Sequence, residues 1–67
     1  GAARQGTGEF LHFISIAKGS LAELETQLIL AERRKFLTHE TLNKILTQAD
    51  EINRMLTGLQ RSLRNKR

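Results

Sequence analysis

Two runs of apolar residues dominate the chain, and both repeat at the helical period. The first, Phe10, Ile14, Ala17, Leu21, Leu24, Leu28 and Ala31, alternates steps of four and three, the spacing that keeps side chains on one face of an α-helix. It predicts a helix over about 8–35. The second, Leu42, Ile45, Ala49, Ile52, Leu56, Leu59 and Leu63, alternates three and four and predicts a helix over about 39–65. In the turn between them, about 36–38, Thr38 is placed to cap the second helix through its hydroxyl. Glu40 suits the dipole of that first turn, and Leu37 and Leu42 are spaced as a hydrophobic staple. A connection so short turns the second helix back along the first. The expected fold is therefore all-α, an antiparallel helical hairpin with arms of about 40 Å. No segment alternates with period two, which argues against strands. Residues 1–8, with Gly1, Gly6 and Gly8 among small and polar neighbours, carry no period and are expected to be a flexible lead-in. Residues 9–67 are then a single helical-hairpin domain.

The helices differ in how much apolar surface they carry. Opposite the second seam lie Asn43, Lys44, Thr47, Asp50, Glu51, Arg54 and Arg61, as in an ordinary amphipathic helix, with Glu40/Lys44 and Asp50/Arg54 spaced for i,i+4 pairing. Beyond its seam the first helix carries Leu11 and Ile29 on one flank, Phe13 and Ile16 on the other, and Leu30 nearly behind. One neighbour cannot cover that circumference, and a contiguous apolar patch marks an interaction surface. Leu11, Phe13, Ile16, Ile29 and Leu30, with Met55 from the second helix, are candidate contacts to other chains. Gly19 and Gly58 each cost about 1 kcal/mol relative to Ala inside a helix. They read either as close approach between chains or as tolerated surface glycines.

Composition sharpens the expectation of partners. A 67-residue chain with 39% hydrophobic residues and no cysteine has neither disulfide nor zinc framework, and a core of this size rarely supplies more than roughly 3–5 kcal/mol. Oligomerisation, or a missing remainder of the chain, is expected to supply the rest. The longest uncharged stretch, residues 10–17, falls far short of the roughly 20 apolar residues that cross a bilayer. The start does not resemble a secretory signal. A cytoplasmic chain with no membrane partner is expected.

The net charge of +4 sits at one end, because residues 61–67 hold Arg61, Arg64, Lys66 and Arg67 and no acid. In a hairpin this tail lies near Arg4, forming a possible phosphate footprint that symmetry would multiply. Arg33, Arg34 and Lys35 form a second cluster at the opposite end. Both clusters also suit helix C-termini through the dipole, so capping and solvation stand beside nucleic-acid binding as readings. The only aromatics are Phe10, Phe13 and Phe36, and the first two are expected on the buried face, so no stacking platform for bases is expected and any contact should be to backbone or shape.

Several runs carry a family resemblance: EFLHF at 9–13, IAKGSLAELETQL at 16–28, MLTGL at 55–59 and Ser62-Leu63. They resemble the four-helix-bundle family of proteins encoded in intervening sequences of bacterial large-subunit ribosomal RNA, which includes the accessory variability determinant of diversity-generating retroelements. The run at 19–28 is the specific part, and Gly1 and Arg4 fit a glycine and arginine ahead of this helix. The likeness spans almost the whole chain but only the last two helices of the family pattern. It implies subunits that assemble, here as a homodimer of hairpins or a homopentamer. It also implies a non-catalytic role in binding RNA or DNA, or a nucleic-acid enzyme.

Other chemistry is thin. Glu9 and His12 have the Glu-x-x-His spacing of di-iron bundles, but those sites need further inward carboxylates, so no metal or cofactor is expected. His39 reads as a surface residue. No phosphate loop and no nucleophile with an orienting base occurs, so no enzyme is expected. Two readings remain: a helical-bundle adaptor holding nucleic acid or its processing partner, and a purely structural oligomerisation module.

Overall fold

The structure, a computed structural model, describes the backbone of residues 2–65 and the side chains of residues 6–65. It consists of two helices, α1 (Ala2–Arg33) and α2 (His39–Arg64). Lys18 bonds to Thr57, Ser15 to Gln60, and Glu32 lies 3.7 Å from His39. Numbers that rise on one helix as they fall on the other make the pair antiparallel. The hairpin is a rod of 51 × 15 × 10 Å, all-α as the two seams predict.

Both ends of α1 differ from the sequence expectation. The helix begins at Ala2, so all but Gly1 of the segment expected as a lead-in is helical; Gly1 lies outside the described residues. Ala2, Ala3, Arg4 and Gln5 are good helix formers, and a helix nucleated further along can propagate through Gly6 and Gly8 at a cost of about 1 kcal/mol each. At the other end α1 stops at Arg33, short of Lys35. Lys35 turns to φ 67°. Its amide donates to the Glu32 carbonyl and the Phe36 amide to the Ala31 carbonyl, each at 2.9 Å. This is the Schellman arrangement with lysine in the left-handed position that glycine usually fills.

The start of α2 matches the sequence. Thr38 is extended (φ −81°, ψ 159°), and its hydroxyl oxygen accepts from the Thr41 amide at 3.1 Å, satisfying one donor of the first turn. Leu42, the inner half of the expected staple, is buried.

The seam between the helices is rolled relative to expectation. On α1 the described residues withdrawn from solvent are Thr7, Leu11, Ile14, Lys18, Leu21, Glu25, Leu28, Ala31 and Glu32. On α2 they are Leu42, Ile45, Leu46, Ala49, Asn53, Leu56, Thr57, Gln60 and Leu63. Phe10, Ala17, Leu24, Ile52 and Leu59, expected in the seam, are exposed instead. The physical reason is that α1 carries a second row, 11, 14, 18, 21, 25, 28, with the same three-four spacing. Its lysine is satisfied by acceptors on α2. Among described residues the buried hydrophobics are Ile14 (3% exposed), Leu42 and Ala49, a thin core for a chain of this length.

Candidate interaction faces

The roll divides the hairpin into two unlike faces. With each residue turned by about 100°, the line joining the helices passes near Ile14 on α1 and Ala49 on α2, whereas the apolar arcs are centred about 50° to one side of it. Because α2 runs opposite to α1, the two displacements bring both arcs to the same side. That side presents Phe10, Phe13, Ala17 and Leu24 from α1 with Ile52, Met55 and Leu59 from α2. Leu24 is 46% exposed and Met55 67%. No charged residue of 10–63 falls within this strip; Glu9 and Lys44 lie at its rims.

The opposite face is polar and internally bonded. Lys18 Nζ donates to Thr57 Oγ1 at 2.9 Å and to Gln60 Oε1 at 3.3 Å, and Gln60 Nε2 donates to Ser15 Oγ at 3.5 Å. Gln60 is 8% exposed, and this layer meets the requirement that a buried amide be paired. Beside it lies a shallow open groove of about 180 Å³ lined by Lys18, Leu21, Ala22, Glu25, Asp50 and Asn53, smaller than the roughly 300–1,000 Å³ of small-molecule sites. Further out, Arg54 Nη2 meets Asp50 Oδ2 at 2.6 Å. The hydrogen bond that Arg54 donates to Asp50, then the Asp50 charge, raises the Arg54 pKa above the ordinary value.

The structure spreads the candidate nucleic-acid residues to both ends of the rod. Arg61 and Arg64 are exposed in the last turn of α2; Arg33 ends α1, and Arg34 and Lys35 belong to the turn. The side chain of Arg4, and Lys66 and Arg67, lie outside the described residues. Of the assembly candidates, Phe13 and Met55 stand on the apolar face and Ile16 at its outer rim, while Leu11 is half-buried against α2. Ile29 and Leu30 are exposed on other sides. Gly19 and Gly58 face open space: a Cβ on either would meet nothing within 4 Å, so neither marks a close approach within the hairpin.

Sequence reasoning missed the polar layer of Ser15, Lys18, Thr57 and Gln60. The signal was the regular row on α1 in which Lys18 sits between Ile14 and Leu21. It also placed five face residues inside the seam. Glu9 and His12 are exposed, and the His12 ring lies tilted beside Phe13, centroids 6.2 Å apart. Among the described residues no group of three or more His, Cys, Asp or Glu side chains is arranged to hold a metal, and no helix is long and apolar enough to cross a membrane.

Comparison with known proteins gives one finding. The sequence model of the family described as 23S rRNA-intervening sequence protein matches residues 1–58. No curated protein and no solved structure matches the chain.

Proposed function

Because the chain belongs to the 23S rRNA-intervening sequence protein family, we propose that it is a non-catalytic, oligomeric helical adaptor of the cytoplasm that holds nucleic acid, or a nucleic-acid-processing partner, on its basic surface. The observation that carries this reading is the separation of charge from grease. One face of the hairpin is apolar and free of charge, suited to assembly, while Arg61 and Arg64 stand exposed off that face at the end of α2. Assembly through the first surface repeats the second, and repeated cationic patches hold phosphates more strongly than one copy can. With few aromatics and no rigid base-reading element, contact is to the sugar-phosphate backbone and tolerant of sequence.

The test is a titration of labelled mixed-sequence RNA and duplex DNA. Binding is expected at about 50 mM salt and should weaken steeply towards about 200 mM, as counterion release requires. If neither nucleic acid binds at the lower salt, the basic residues only cap and solvate the helix ends, and the chain is a structural oligomerisation module.

A further inference from the structure

The turn between the helices displays a ring where this backbone geometry usually hides one. In a Schellman ending, the residue in the place of Phe36 frequently closes an apolar contact on the last turn of its helix. Here Phe36 is 79% exposed, the most exposed large hydrophobic of the described residues, and Leu30, where such a contact would fall, is itself 50% exposed. The ring therefore projects from the end of the rod. Directly before it stand Arg33, Arg34 and Lys35, all exposed, and no acid occurs in 33–39. The flanking acids are Glu32, whose carboxylate lies 3.7 Å from His39, and Glu40 in the first turn of α2. Lys35 keeps its cation at a φ of 67°, a position in which glycine would be the unstrained choice. We propose that this tip is a stacking site for an unpaired nucleic-acid strand: Phe36 takes the face of one base, and Arg33, Arg34 and Lys35 take the phosphates beside it. The proposal rests on the nucleic-acid reading above and adds one base contact to its phosphate contacts, at the opposite end of the hairpin from Arg61 and Arg64.

Charge and shape favour this ligand over others. One aromatic ring flanked by cations matches a strand in which flat bases alternate with phosphates, and stacking tolerates any sequence because every base has a π-face. In a duplex the base faces are already covered by their neighbours, so the ring gains its contact only after a base has been unstacked. An unpaired strand offers the face without that cost. A bilayer is the other polyanionic surface that takes cations beside an aromatic, but it holds a helix by a broad apolar face. The tip has no such face, since Leu37, next to Phe36, is partly buried.

The test compares three ligands: oligothymidylate, an abasic deoxyribose-phosphate strand of the same length, and vesicles of phosphatidylserine. Phe36→Ala is expected to weaken oligothymidylate binding roughly 5- to 150-fold, the range of one lost base stack. It should leave the affinity for the abasic strand and for duplex DNA unchanged. The chain has no Trp and no Tyr, so the indole of Phe36→Trp reports alone; oligothymidylate should quench it and the abasic strand should not. Equal weakening of both strands by Phe36→Ala overturns the proposal, as does an indole that responds to the vesicles and not to oligothymidylate. Unchanged, still salt-sensitive binding by Phe36→Ala also overturns it, yet leaves the phosphate reading standing. If the unmodified chain binds no strand at about 50 mM salt, the phosphate reading itself has failed, and the stacking site with it.

Discussion

Lys35 holds the least comfortable backbone of the described residues. Its φ of 67° places a β-carbon where the left-handed region tolerates it poorly, at a cost of roughly 1–2 kcal/mol for a residue other than glycine. The turn accepts that cost because it lets the Phe36 and Lys35 amides satisfy the last carbonyls of α1. Lys35→Gly is expected to stabilise the hairpin by about 1 kcal/mol, after the greater unfolded freedom of glycine is set against the relief of strain. Denaturant midpoints at one fixed protein concentration measure it. At the next residue boundary the opposite sign is expected: Thr38→Ala removes the acceptor of the Thr41 amide and should cost about 1 kcal/mol. Gly58 offers a third readout. Its surroundings are open, so Gly58→Ala should gain up to about 1 kcal/mol by helix propensity alone; a loss of stability would place a neighbouring chain against that side.

At the level of the helices, the sequence pattern specified much and left one rotation open. Period fixed the existence of both elements and the short connection their antiparallel sense, but α1 starts at Ala2, ahead of any apolar period; the Thr38 cap located the start of α2 to the residue. The roll of one helix on the other was not legible, because Ile14, Leu21 and Leu28 belong to both the all-apolar row and the mixed row of α1. Choosing between the rows requires knowing that Lys18 will find Thr57 and Gln60 across the seam, a tertiary fact carried by residues 39 and 42 positions away. The turn hid its left-handed residue for a similar reason: no glycine announced it. Ile14, at 3% exposure, and Leu24, at 46%, now have different expected phenotypes although one seven-residue stripe contained both. Ile14→Ala should cost roughly 2–5 kcal/mol of stability, read by loss of helical circular dichroism in denaturant. Leu24→Gln should leave the hairpin's own seam in place and lower the molar mass in light scattering.

Across the whole rod, charge and apolar surface are allotted to different sides, and the allotment makes the net charge an instrument for testing phosphate binding. Of the exposed arginines in the second half of α2, Arg54 is engaged with Asp50 at 2.6 Å, so that pair is close to neutral when viewed from a phosphate several ångströms away. Arg61 and Arg64 lie in a segment that contains no acid. A counterion-release slope counts the phosphates neutralised, about 0.7 per contact on a single strand and 0.9 on duplex DNA. Replacing Arg61 and Arg64 together by Gln should therefore flatten the plot of log affinity against log salt by roughly 1.4–1.8 and weaken binding to all sequences alike. The paired replacement Asp50→Asn with Arg54→Gln leaves net charge unchanged and should leave both slope and affinity where they were. Equal effects from the two double variants would mean that binding follows the fold of α2 and not its terminal cations, because only a structural perturbation would be common to both.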